Sequence, residues 1–403
     1  MSPLHLGATF SNTDGALRRC WHPVARSGDV VSGPHRVMLL GEPWVLVRIG
    51  PDGTLRAFRD RCPHRRAPLS IGRVTGPDDA DVPGAPEGDG AAGGPGDGPS
   101  AIRVPKVPAL RCAYHGWCFN EEGRCIDIPA LEAGAAIPPK ARLDRAYGVV
   151  ERHGMVFVCP EPPLPGLDTV PVIPEAEDPA FMPGDLPPMR AKACAGLLAD
   201  NFLDMAHFPF VHASTFGAEE PVVTPLEIER AGWSYRAVSE HPFSNREDPG
   251  VAAGIRPLVQ QRRVTYRVTA PFHLVLRLDF LDSGGTNVIG FFLQPETEET
   301  TRIFSTIWRD DMTGDEERMA SAVDFEVRVV EEDLAVQEAY DVRSLPLDVT
   351  AEVHTRADRS TLELRRMLGD LVTAAAQEIP DEGLGNGAAE PRAERVTAPA
   401  VTR

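Results

Sequence analysis

Cys62 and His64 stand two residues apart in RCPHRRAPLS (61–70), and Cys112 and His115 stand three apart in CAYHGW (112–117). Two thiolates and two imidazoles in short pairs are a ligand set for a metal. Each pair is short enough to sit on one loop, and two such loops pinched together present two sulfurs and two nitrogens. A structural Cys₂His₂ zinc fits the ligand count. A [2Fe–2S] cluster with two cysteines on one iron and two histidines on the other fits it equally. Chance is the third reading, and four ligands in paired motifs argue against it. A zinc finger puts both cysteines in one pair and both histidines in the other. Here each pair supplies one of each, which lets a single loop reach both irons of a diamond-shaped cluster.

A second group of candidate ligands lies in DNFLDMAHFPFVH (200–212), with Asp200, Asn201, Asp204, His207 and His212. On a helix Asp204 and His207 are neighbours. His207 and His212 are five apart, which on an ideal helix turns them about 140° from each other. Pro209 lies between them and is expected to break the helix, so that both imidazoles can converge. By itself an H-x4-H pair reads as an ordinary core or surface histidine pair.

The flanks of the first group, CPHRRAPLS and CAYHGWCFNEEGRC with its His-Gly-Trp, closely resemble the cluster-binding motifs of Rieske domains, and the resemblance extends over LRRCWHPVA. One departure stands out. The two pairs are separated by 47 residues (65–111), more than Rieske domains usually place there. The excess coincides with a Gly/Pro-rich stretch, and loop closure costs only ~0.6 kcal/mol per doubling of length. A Rieske domain followed by D-x2-H-x4-H resembles the catalytic (alpha) subunit of the Rieske non-haem iron oxygenases. That resemblance implies a [2Fe–2S] cluster on Cys62, His64, Cys112 and His115. It implies a mononuclear Fe(II) on His207, His212 and a carboxylate from a late helix, with open positions for O₂ and substrate. VVEEDLAVQEAYD resembles that helix, and Asp333 is assigned as the third ligand, with Glu332 and Glu331 as competitors. The resemblance makes Asp204 the bridge between an iron-ligand histidine and a cluster histidine of the next subunit, and places Asn201 near the iron. Asp200 is expected on the helix surface or as a cap.

The same late motif resembles the vanillate O-demethylase and dicamba monooxygenase branch. It implies hydroxylation or oxidative demethylation of a small aromatic or alicyclic substrate. An aromatic ring dihydroxylating dioxygenase is the alternative, and a Rieske electron-transfer protein or a zinc-stapled binding module stands further off. No G-x-G-x-x-G stands at a strand-to-helix turn, so NAD(P)H is expected to act only indirectly, through a separate reductase and possibly a ferredoxin. The resemblance also implies a head-to-tail homotrimer. Phe202, Phe208, Phe272, His273, Phe291, Phe292 and Trp308 are candidate pocket walls, with His273 a candidate to orient a substrate carboxylate or carbonyl.

The elements that must position these groups are legible in the patterning. The expected class is α+β: an N-terminal all-β domain over 18–160, then an antiparallel sheet with helices of the helix-grip type over 189–377. Short strands broken by turns, as in VMLLGEPWVLVRIGPDGTLRAF (37–58) and YGVVERHGMVFVCP (147–160), make up the first. GPDDADVPGAPEGDGAAGGPGDGPS (76–100) is a low-complexity surface insertion, and 161–188 a Pro-rich connector. Alternating runs at 260–280, 286–295 and 301–310 predict strands with one buried face. Residues 316–342 and 356–377 have helical spacing, and 378–403 is expected to be a disordered tail.

Composition narrows the partners. The chain has 403 residues, 42% hydrophobic and 25% charged, ordinary for globular domains with sizeable cores. Forty-one basic against 59 acidic side chains leave a net charge of −18, which disfavours nucleic acid and anionic membrane. No signal peptide and no run of about 18 apolar residues is evident. Seven cysteines in so large a chain point to a reducing cytoplasm. Cys20, Cys118, Cys125, Cys159 and Cys194 are then expected to be plain buried thiols.

Overall fold

The computed structural model describes residues 7–76, 105–132, 134–216, 221–246 and 248–377. The insertion expected at 76–100, beyond Gly76, and the tail expected at 378–403 lie outside the described residues.

The N-terminal part is built from three small antiparallel sheets. One joins His35–Leu39, Glu42–Arg48 and Leu55–Arg59, the last two turning through the Pro51-Asp52-Gly53 signal. A second joins Arg73–Thr75, Ala109–Arg111, Cys118–Phe119 and Cys125–Asp127 and carries the 112–117 motif. The third joins Gly148–Arg152, Met155–Cys159 and His22–Arg26.

The C-terminal part is one antiparallel sheet of eight strands. Its order is Met182–Asp185, Thr301–Arg309, Thr286–Pro295, His273–Phe280, Val259–Thr269, Ser234–Ser244 and Glu227–Ala231, and Met189–Ala191 also pairs with Thr301–Arg309. Residues 182–185, read as the end of a connector, are therefore an edge strand. Pro183 is tolerated there because an edge strand pairs on one side only.

The central strands are buried on both faces, not one. Every residue of Thr286–Pro295 is buried. One face meets the helices Ala195–Leu203 and Glu316–Gln337. The other is covered by the N-terminal part, where Trp21, Met155 and Phe157 pack with Val275, Val288, Phe292, Phe304 and Trp308. The helix Glu316–Gln337 starts on Asp315, whose side chain accepts from the Arg318 N–H at 3.0 Å. It lies directly on the edge strand. A Cβ on Gly184 would stand 2.5 Å from Met319 Sδ and 2.8 Å from Val323 Cγ2, so a larger residue there would push both side chains aside.

Candidate active site

The two cysteine–histidine loops are near copies in backbone. In each, the cysteine N–H donates to the carbonyl five residues on, Cys62 to Ala67 at 2.8 Å and Cys112 to Trp117 at 2.9 Å. In each, the cysteine carbonyl accepts from the N–H four residues on, Arg66 at 2.9 Å and Gly116 at 3.1 Å. The turn needs positive φ at that fourth position. Gly116 supplies it at +70°, whereas Arg66 holds +60° with a side chain. Asp60 anchors the first loop, accepting from Ser70 N and Oγ at 2.7 Å each. The buried Arg111 anchors the second, donating to the Gly116 carbonyl at 2.8 Å.

These turns bring all four candidate ligands together. The Cys62 and Cys112 thiols face each other, and that contact is the main reason the Cys112 thiol is lowered while its partner's is pushed up. The His64 and His115 rings lie 4.5 Å apart, with Trp117 stacked on His64 at 4.6 Å. His64 Nδ1 is buried without a hydrogen-bond partner. An orphaned imidazole nitrogen beside two facing thiols fits a cluster with sulfur on one iron and nitrogen on the other. The other five cysteines are buried and unpaired.

The second group forms differently from the sequence expectation. The helix Ala195–Leu203 already ends at Asp204, whose ψ of 132° is extended. Pro209 does not break it. It opens a separate one-turn helix, Phe208–Val211, where a proline in the first turn is favoured. His207 and His212 are the two caps of that turn, and so they converge.

His207 Nε2 and His212 Nε2 lie 3.2 Å apart, and Asp333 Oδ1 lies 3.3 Å from the first and 3.2 Å from the second. His207 Nδ1 faces Asp204 Oδ2 at 3.0 Å, and His212 Nδ1 faces Glu332 Oε2 at 2.8 Å. A carboxylate only accepts, so both Nδ1 atoms carry hydrogen and both neutral rings turn a lone pair inward. Three lone pairs then meet in a near-equilateral triangle, an arrangement that demands a cation. The local field shows the same demand. Burial disfavours a charged His207, yet the carboxylates of Asp204 and Asp333 outweigh it and raise its pKa to about 9, so without a metal a proton takes the cation's place on that inward nitrogen. Two histidines and one carboxylate on a triangular face are the donor set of non-haem Fe(II). Glu332 is not in the triangle. It also accepts from Ser214 Oγ at 2.7 Å and Thr215 Oγ1 at 2.5 Å. Asn201 Nδ2 donates to Asp333 Oδ1 at 3.2 Å.

Asp200 does not cap the helix and is only partly exposed on it. It pairs at 3.1 Å with the buried Arg365 of the last helix, and burial still raises its pKa to about 7.

The triangle lies in the wall of a deep apolar cleft between the sheet and the helix Glu316–Gln337. Phe202, Phe208 and Phe291 line it, as expected, and Phe202 stacks on Phe291 at 4.6 Å. Phe272, His273, Phe292 and Trp308 do not. Side chains alternate across a strand, so Phe292 points to the face opposite Phe291 and packs with Trp308 against the N-terminal part. Phe272 packs on Phe10, ring centroids 6.0 Å apart. His273 is buried, its Nε2 3.0 Å from the Trp21 carbonyl, and cannot meet a substrate. Tyr266 and Asn287 line the cleft and were not singled out from the sequence. Their only signal there is a polar group on the inward parity of an apolar strand.

Residues 20–81 and 100–145 match the model of the Rieske [2Fe-2S] domain, and residues 191–374 match that of the vanillate O-demethylase oxygenase C-terminal domain. The chain is a Rieske non-haem iron oxygenase. Among its relatives, a methylxanthine N1-demethylase of Pseudomonas putida is 28% identical over 368 residues, 89% of this chain and 90% of the relative. The vanillate O-demethylase oxygenase subunit of a Pseudomonas species is 26% identical over 356 residues, 84% of this chain and 96% of the relative. A solved P. putida methylxanthine demethylase superposes with a TM-score of 0.68 at 26% identity, covering 91% of this chain and 94% of the other. Dicamba monooxygenase bound to dicamba shares the fold, with a TM-score of 0.67 at 21% identity over 92% and 100% of the two chains. As a member of this family the oxygenase uses a [2Fe–2S] cluster, a mononuclear iron and O₂. No helix among its described residues is long and apolar enough to cross a membrane.

Proposed function

We propose that this oxygenase oxidatively demethylates, or hydroxylates, a small aromatic substrate with electrons from a separate reductase. The observation that carries this reading is the convergence of His207 Nε2, His212 Nε2 and Asp333 Oδ1 at the wall of an aromatic-lined cleft. In this reading Cys62, His64, Cys112 and His115 hold the cluster, and His207, His212 and Asp333 hold the iron.

When bound, the cluster supplies electrons one at a time and the iron supplies O₂ activation for oxygen insertion into a C–H bond. The chain's own residues do the rest. Asp204 and Glu332 fix the tautomers of His207 and His212 and keep both inward nitrogens unprotonated for the metal. Asn201 holds the Asp333 carboxylate through its Oδ1. The phenylalanine walls exclude water and accept a flat ring.

Head-to-tail association into a homotrimer would place one subunit's cluster beside the next subunit's Asp204. Two exposed rings support it, Tyr114 beside His115 and Phe210 within the one-turn helix between the iron-site histidines. Both stand ready to be covered at a subunit contact. The cysteine usage and acidic surface suit the cytoplasm.

The test is purified protein with a surrogate reductase and a panel of methoxy- and N-methyl-arenes. A red-brown protein with about three irons per chain that releases formaldehyde is expected. A colourless zinc protein would overturn the reading.

A further inference from the structure

The sheet floor of the cleft is a ladder of registered rows. Val264, Leu278 and Asn287 lie side by side in one row, and Tyr266, Leu276 and Ile289 in the next. Directly opposed residues share a face, so all six side chains point into the cleft, and all six line it. Four are apolar. The other two carry polar atoms that the protein leaves unanswered.

Asn287 is 4% exposed and Tyr266 is 1% exposed. Asn287 Oδ1 and the Tyr266 hydroxyl are both buried without a hydrogen-bond partner. Neighbouring polar groups on the same walls do have partners. Ser305 Oγ donates to the Gly290 carbonyl at 2.9 Å, and Asn245 Nδ2 donates to Gln260 Oε1 at 3.1 Å. An unanswered buried polar atom carries its full desolvation cost, so two in one cleft call for a ligand that satisfies them.

Their chemistry specifies the ligand. Asn287 Nδ2 faces the Glu326 carboxylate at 3.4 Å. The carboxylate only accepts, so the amide cannot turn over without setting oxygen against oxygen. Asn287 therefore offers an acceptor to the cleft. The Tyr266 phenol stays protonated, because burial raises its pKa, and offers a donor. Glu326 and Asp333 are seven residues apart on one helix, hence on nearly the same side and about 10 Å apart along its axis.

We propose that Asn287 and Tyr266 orient the substrate, an uncharged aromatic or heteroaromatic ring presenting an N–H or O–H to Asn287 Oδ1 and an acceptor oxygen to the Tyr266 hydroxyl. This rests on the oxygenase reading above. Both are positioning residues. They hold the far edge of the ring and so decide which methyl or C–H reaches the metal.

The test uses two matched probe pairs on the holoenzyme, each differing by one donor. Theobromine carries a ring N–H that is methylated in caffeine, and 2-methoxyphenol carries an O–H that is methylated in 1,2-dimethoxybenzene. Binding is measured by calorimetry, with iron content and visible spectrum recorded on the same samples. In the native protein the donor-bearing member of at least one pair binds about 5-fold more tightly. Asn287→Leu brings that ratio to about one, and Asn287→Ala does the same if the leucine variant fails to fold. Tyr266→Phe weakens both members of the pair by about 5-fold and leaves their ratio unchanged. The proposal is overturned if neither pair shows the preference, if neither pair binds, or if the ratio survives at position 287. A native protein without iron would instead sink the oxygenase reading, whatever the ratio.

Discussion

Glu332 Oε2 accepts a hydrogen bond from His212 Nδ1 at 2.8 Å. Its neighbour in sequence, Asp333, faces the opposite nitrogen of the same ring at 3.2 Å. Successive helical residues point about 100° apart, so one carboxylate lies on the outer nitrogen of His212 and the other joins its inner nitrogen in the triangle proposed to hold the iron. Asp333→Ala is expected to lose the mononuclear iron and all turnover while keeping the cluster colour. Glu332→Ala is expected to keep the iron at about 10–100-fold lower affinity. Iron titration of both variants checks this, and the reverse pattern would make Glu332 the ligand.

Asp204 stands on the outer side of His207, its Oδ1 tied to the Ala206 N–H at 2.9 Å and its Oδ2 to the ring. Asp204→Ala should retain cluster and iron but slow reoxidation of the reduced cluster by roughly 10–100-fold. Stopped-flow absorbance of the prereduced protein mixed with O₂ and substrate reads that rate directly. Loss of iron from this variant would show that Asp204 serves chiefly to hold His207 for the metal rather than to pass electrons.

Cys112 lies on the second of the two matching loops, its Sγ facing Cys62. Cys112→Ala should abolish the visible bands and remove about two irons per chain. His212→Ala should keep the bands and abolish turnover. If His212→Ala turned over with electrons supplied, the assignment of the triangle would be wrong.

Acid should weaken the junction between the two halves of the chain. His22 is buried with its Nε2 2.7 Å from the Leu17 carbonyl, and His273 is buried against the Trp21 carbonyl. Burial lowers His22 to about 4 and His273 to about 3. The unfolded chain takes protons on both near 6.5, whereas the folded chain takes them only below about 4. Both folded values are depressed, so stability is full above pH 6.5 and is lost as pH falls from there towards 4. At pH 5.5 the two together should cost about 3 kcal/mol relative to pH 8. Thermal unfolding at the two pH values measures it. His273→Gln should flatten about half of the difference, and an unchanged slope in that variant would remove His273 from the account.

The approach of Cys62, His64, Cys112 and His115 to one another, and the convergence of His207 with His212, were legible from the sequence because their geometry is local. A five-residue turn brings each cysteine and histidine together, and a one-turn helix places the two imidazoles at its ends. The period-2 runs at 260–280, 286–295 and 301–310 likewise marked real strands. Four of the seven proposed pocket walls failed. An aromatic residue in a strand does not announce which face it uses when both faces are buried. Phe291 and Phe292 differ by one residue and lie on opposite sides of the sheet. Asp200 misled for a related reason, since its partner Arg365 is 165 residues away.

By itself, then, the sequence determined the ligand types, their pairing and the class of chemistry, all set by short stretches of chain. Only the tertiary structure brought Asp333 rather than Glu332 to the inward nitrogens, assigned each strand face to cleft or domain junction, and left Asn287 and Tyr266 unanswered over the same floor. Those outcomes depend on which distant surface covers each side chain, and packing between the sheet, the long helix and the N-terminal domain supplies that.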